Sequence, residues 1–120
     1  MKDWDYGDYG ELFEAINESY EEFLANGRGE KFAVARAFNE YANMGKIEDI
    51  ITDVAIGEIL ASHDKVFIGY IEGITGRLSE VEKKDLKNEL SDGEIENLLG
   101  RIATVIRDLR NKPIDSNPVA

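Results

Sequence analysis

The chain has no cysteine, one histidine and two prolines in 120 residues. Without cysteine there is no disulfide framework, no thiolate zinc site and no thiol nucleophile, and a lone histidine leaves little material for imidazole chemistry. So little proline, with 42% apolar against 32% charged residues, excludes a disordered or low-complexity chain. The apolar runs are far too short to span a bilayer, and the opening Met1-Lys2-Asp3-Trp4-Asp5 has no apolar signal region, so a soluble, cytoplasmic protein is expected. Basic side chains are also scarce. Fourteen Lys and Arg stand against twenty-five Asp and Glu, a net charge of -11, which argues against nucleic acid and membranes as partners and favours a basic protein.

A chain of this length is one domain's worth and buries about two thirds of the surface it exposes when unfolded. Its negative charge is unevenly spread: residues 1–30 hold nine acidic and two basic side chains, whereas each later block of thirty is close to balance. No repeat or linker divides the sequence. Both prolines fall in Lys112-Pro113-Ile114-Asp115-Ser116-Asn117-Pro118, so residues 1–112 read as a single domain and 113–120 as a flexible tail.

Periodicity predicts helices nearly throughout. Asp8 can cap the first, with Glu11 reaching back as in a capping box. Tyr9, Leu12, Phe13, Ile16, Tyr20, Phe23 and Leu24 recur along one face until Asn26-Gly27 ends the run. The alanine-rich stretch from Phe32 to Ala42 is apolar on most sides and reads as a short central helix closed at Gly45. Ile47, Ile50, Ile51, Val54, Ala55 and Ile59 mark a third helix, with Glu48, Asp49, Thr52, Asp53 and Glu58 on its wet side. Asp64 can cap a fourth, although Val66-Phe67-Ile68-Gly69-Tyr70-Ile71 is β-branched and aromatic enough to compete as a strand. Ser79 and Glu82 propose a short polar helix with Leu86 and Leu90 facing inward. Ser91 and Glu94 box the start of a last helix striped by Ile95, Leu98, Leu99, Ile102, Val105, Ile106 and Leu109, and Arg107, Arg110 and Lys112 complement its dipole. The expected fold is all-α, a compact domain of five to six helices in orthogonal or bundle-like packing.

Ser62-His63-Asp64 has the composition of a catalytic triad, but consecutive side chains cannot align a nucleophile, base and orienter, so His63 is expected merely to end a helix. Acidic sets such as Glu18, Glu21 and Glu22, or Glu48, Asp49 and Asp53, resemble magnesium-binding helices of nucleotide-cleaving bundles. They lie opposite the apolar stripes, however, and should point to water rather than converge. No catalytic residue, metal ligand or cofactor is therefore assigned. Gly69, Gly73 and Gly76 each cost a helix about 1 kcal/mol relative to alanine, which calls for a closely approaching helix or for a shallow groove that receives a partner's side chain.

The first helix carries the candidate interface. Glu11/Glu14, Glu14/Glu18, Glu18/Glu21 and Glu18/Glu22 are like-charge neighbours, each unfavourable by about 0.2 to 0.5 kcal/mol, and no lysine or arginine within the helix relieves them. Such a ridge is either a solvated face neutralised through space by Lys83, Lys84 and Lys87, or a surface made for a cationic partner. Trp4, Tyr6 and Tyr9, alternating with Asp3, Asp5 and Asp8, are what an interface anchor needs, although Trp4 could equally fold back as a core plug.

The run Ile56-Gly57-Glu58-Ile59-Leu60, His63, Lys65-Val66-Phe67-Ile68-Gly69, Leu90-Ser91-Asp92 and Arg101-Ile102 resembles an all-helical family of bacterial immunity proteins. These are encoded beside polymorphic or contact-dependent toxins. The likeness covers most of residues 10–110 and implies a non-enzymatic antitoxin that blocks one cognate toxin domain. It supplies no fixed contact motif, so the candidate interface rests on charge: Trp4, Tyr6, Tyr9, Glu11, Glu14, Glu18, Glu21 and Glu22 facing a basic toxin, in many such systems a nuclease. The rival expectation is a regulatory module whose glycine-lined groove takes a partner helix.

Overall fold

A computed structural model of the chain describes residues 8–27, 29–41 and 43–115. The elements run α1 (Asp8–Ala25), α2 (Glu30–Tyr41), α3 (Lys46–Ala61), β1 (Val66–Phe67), α4 (Ile68–Ser79), a 3-10 turn (Lys83–Asp85), α5 (Asp92–Arg110) and β2 (Ile114–Asp115). Among the described residues five helices packed on one another make the fold all-α, and the strands there are a two-residue parallel ribbon, Val66 against Ile114 and Phe67 against Asp115.

Helix α1 buries Phe13, Ile16 and Tyr20, as its spacing requires. It stops where the chain reaches Gly27, whose φ of +82° lies in the left-handed region that glycine adopts without a Cβ clash. Asp8 is the first helical residue, and the cap expected from its side chain falls outside the described residues. In α5 the capping box forms as read: the Glu94 N–H donates to Ser91 Oγ at 3.3 Å and the Ser91 N–H to Glu94 Oε1 at 2.8 Å. Ile95, Leu98, Ile102, Val105 and Leu109 are its buried stripe.

The central helix is α3, not α2. Helix α3 packs against α1, α2, α4 and α5, and Ile47, Ile50, Ile51, Val54, Ala55, Ile56, Ile59 and Leu60 are all buried along it. Helix α2 buries only Ala33, Val34 and Ala37, while Phe32, Arg36 and Asn39 face out. Alanine offers little apolar area, so an alanine-rich helix is a thin inner layer, whereas a run of isoleucine and valine needs cover on every side. Two residues assigned to the wet side of α3 are buried as a result. Thr52 donates its hydroxyl to the Glu48 carbonyl at 2.9 Å, and Asp53 accepts two bonds from Arg77 of α4, from Nε at 2.8 Å and Nη2 at 2.9 Å. A buried polar group is tolerated when it is bonded, and both are.

Further corrections follow in the second half. Val66–Phe67 is a strand and Ile68 opens the helix, so the ambiguous stretch is both in succession. The N-cap of α4 is Phe67, without a side-chain bond, and Asp64 does not cap it. The capping box before the 3-10 turn pairs Glu82 with Asp85 rather than Ser79 with Glu82, and Ser79 instead ends α4. Leu86 and Leu90 face inward as expected. Lys112 donates to the His63 carbonyl at 2.7 Å, and the Val66 N–H to the Pro113 carbonyl at 3.0 Å, so the start of the expected tail is tied to the main body as far as Asp115. Residues 116–120 lie outside those described.

The glycines of α4 do not receive a neighbouring helix. A Cβ at Gly69 would meet the ring of Phe67, one at Gly73 the guanidinium of Arg77, and one at Gly76 nothing within 4 Å. The close helix crossing is at Gly57 of α3, where a Cβ would lie 2.5 Å from Val105 Cγ1 of α5.

Candidate functional site

On α1, burying Phe13, Ile16 and Tyr20 turns Glu11, Glu14, Glu18, Glu21 and Glu22 outward, and all five are exposed. Among the described residues no lysine or arginine pairs with Glu11, Glu18, Glu21 or Glu22. Glu14 makes a polar contact of its own. Much of the chain's positive charge is engaged elsewhere: Lys31 with Asp115, Lys46 with Asp85, Arg77 with Asp53, Arg101 with Glu58 and Arg107 with Asp108. Of the three lysines that could have neutralised the ridge, Lys84 stands 3.7 Å from Glu82, and none of the three pairs with α1 among the described residues. Trp4 and Tyr6 lie outside the described residues, as does the side chain of Tyr9, whose backbone forms the first turn of α1.

The acidic face continues onto α2. The Ser19 hydroxyl donates to Glu40 Oε2 at 3.2 Å, and Tyr41 lies close enough to feel both Glu40 and Glu18. Burial first, then these carboxylates, push the Tyr41 hydroxyl above its ordinary range. Beneath this face Arg101 joins three helices. It donates from Nε and Nη2 to the two Glu58 oxygens, at 2.9 and 2.6 Å, and its guanidinium sits 4.0 Å from the Phe13 ring centre. Planar guanidinium suits both partners, and this anchors α1 against α3 and α5.

His63 ends α3 much as the plain reading has it. Its Nε2 is 2.7 Å from the Tyr20 hydroxyl and 3.4 Å from Glu30 Oε2, while the Ser62 hydroxyl turns away to the Ile59 carbonyl at 2.6 Å. The cavity beside it, about 500 Å³, mixes Lys31 and Lys65 with Glu30, Asp64 and Asp115. Burial, with Glu30 and Glu21 adding to it, pushes the Tyr20 hydroxyl from 10.0 up to about 12. A hydroxyl protonated when folded but ionising near 10.0 when unfolded lends stability that is whole below pH 10 and lost as pH rises towards 12. Denaturant unfolding across that window is expected to show the parent chain weakening faster than Tyr20→Phe. Equal slopes for the two would mean that this hydroxyl is not held.

Sequence reasoning missed a second concavity, between the end of α2 and the start of α3, lined in part by Asn39, Tyr41, Asn43 and Asp49. Its one local signal was the absence of a basic residue from the last turn of α2. Among the described residues no set of His, Cys, Asp and Glu could hold a metal ion, and no helix is long and apolar enough to cross a membrane.

The sequence model of the immunity protein family Imm3 matches residues 2–120. The chain belongs to the Imm3 family of immunity proteins. No curated protein and no solved structure matches it. For an Imm3 member the implied partner is a toxin.

Proposed function

We propose that this immunity protein neutralises its toxin by stoichiometric binding, with the outer face of α1 docking onto a cationic surface of the toxin. The observation that carries this is the row of exposed glutamates on a helix with no basic residue of its own. Repulsion along the row makes the free helix less stable by roughly 1 to 2 kcal/mol in all, and a positive partner relieves it. A nuclease fits, because its substrate groove already displays charge meant for phosphates, and a carboxylate row occupies such a groove as the substrate backbone would. Trp4, Tyr6 and Tyr9, which precede the row in sequence, are assigned the desolvated aromatic contact.

The test is charge reversal of Glu18, Glu21 and Glu22 to lysine, measured against the toxin domain encoded beside this chain. Association is expected to slow by about 10- to 100-fold at low salt, with a shallower salt dependence and unchanged helicity, because exposed charges act mainly on encounter and are screened within about 8 Å at physiological ionic strength. A triple variant that binds as fast as the parent and still protects cells would sink the proposal.

A further inference from the structure

The concavity beside the acidic face is a cleft of about 370 Å³, with the last turn of α2 on one side, Asp49, Thr52 and Asp53 of α3 on another, and Arg77 of α4 closing it. It lies at the small end of the roughly 300 to 1,000 Å³ of ligand pockets, a size for one long side chain. Its chemistry is one-sided. Phe38 and Tyr41 supply aromatic surface. The side-chain amides of Asn39 and Asn43 have no hydrogen-bond partner among the described residues, and Asp49 accepts there only the Met44 N–H, at 3.2 Å through Oδ1. The cation lining the cleft, Arg77, is spent on both oxygens of Asp53.

Helix α2 adds to this. Its last carbonyls lack intrahelical partners, its dipole is negative at that end, and its last turn holds no basic residue. Asn43 takes the left-handed conformation at φ 59°, which asparagine tolerates, and so turns the chain sharply into α3 and opens the space between them. Asp53 and Arg77 neutralise each other, so an anion entering here would meet the remaining carboxylate of Asp49 and a helix C-terminus. An aliphatic side chain would strip water from two amides and a carboxylate without replacing their bonds. A cation that donates hydrogen bonds satisfies the carboxylate and the two amide oxygens, and leaves the amide N–H groups to water.

We propose that this cleft receives an arginine side chain of the toxin, an inference that rests on the toxin-binding reading above and names its anchor. Arginine fits better than lysine because the acceptors sit on separate elements. Five donors in a planar fork reach several at once, and the guanidinium face stacks on an aromatic ring. The glutamates of α1 then govern how fast the partners meet, and the cleft governs how long they stay together.

Titration of the ¹⁵N-labelled chain with N-acetyl-arginine amide, its lysine counterpart and the uncharged citrulline counterpart tests this without the toxin. The arginine probe is expected to give saturable shifts confined to the α2–α3 junction and Arg77, and to bind about tenfold more weakly to Asp49→Asn, which keeps an acceptor for the Met44 N–H but loses the charge. Citrulline binding as well as arginine, lysine binding as tightly as arginine, or shifts spread over α1 and unchanged in Asp49→Asn would each overturn the assignment. Against the toxin domain, Asp49→Asn is expected to speed dissociation while leaving association nearly intact. If the α1 lysine variant slows association but Asp49→Asn leaves dissociation unchanged, the cleft alone fails. If neither variant has an effect, the docking face fails with it.

Discussion

Replacing Arg77 by methionine is expected to lower stability by about 2 to 3 kcal/mol, and replacing Asp53 by leucine to cost much less. The two ends of this ion pair differ in solvent access. The Asp53 side chain is 9% exposed and that of Arg77 57%. Removing the arginine strands a carboxylate inside the fold with no other bonded cation, and breaking a fully buried pair in this way costs roughly 3 to 5 kcal/mol; the wet arginine end reduces that figure. Removing the aspartate leaves a guanidinium free to turn into water, and leucine recovers apolar contact on α3. The double variant Asp53→Leu/Arg77→Met is therefore expected to be more stable than Arg77→Met alone, which urea unfolding of the three variants would show as a favourable coupling. A double variant no better than Arg77→Met would mean that the loss came from the packing of the arginine stem.

This pair also shows where the sequence stops being informative. Asp53 reads as solvent-facing because its own helix has a polar face, and nothing within α3 announces that an arginine 24 residues later covers it. The strand at Val66–Phe67 was half legible: its β-branched and aromatic residues suggested one, but the partner that makes it a strand, Ile114–Asp115, is remote in sequence. Several signals that act over one turn were legible, namely the Ser91/Glu94 box, the stop at Gly27 and the stripe of α5, whereas the box read at Ser79 and Glu82 and the cap read at Asp64 do not form. The exposure of the α1 glutamates belongs with the legible signals, because the period that buries Ile16 and Tyr20 obliges Glu18 and Glu22 to face away. The cleft at the end of α2 was not legible. Its walls come from three helices, and it exists only once they are assembled.

Glycine shows the same division. Three glycines at helical spacing in α4 drew attention as a contact face, yet a helix crossing is instead marked by the isolated Gly57 of α3. Gly57→Ala is expected to destabilise by about 1 to 2 kcal/mol, and Gly57→Leu by roughly 3 kcal/mol or more. Alanine would ordinarily gain about 1 kcal/mol over glycine inside a helix. Here its Cβ would stand 2.5 Å from Val105 Cγ1 and 3.6 Å from Ile74 Cγ2, and a β-branched valine at a helix interface has little room to turn away. Forcing α3 and α5 apart costs about 1 to 3 kcal/mol for a small intrusion, exceeding the gain in propensity, and more for a larger one. Gly100 of α5 provides the control: nothing lies within 4 Å of its missing Cβ, so Gly100→Ala is expected to stabilise by about 0.5 to 1 kcal/mol. Combining Gly57→Ala with Val105→Ala is expected to cost less than the sum of the two, by about 1 kcal/mol, because the second change makes the space the first requires. Thermal and denaturant unfolding of these variants would decide it, and Gly57→Ala melting as high as Gly100→Ala would show that the crossing has slack after all.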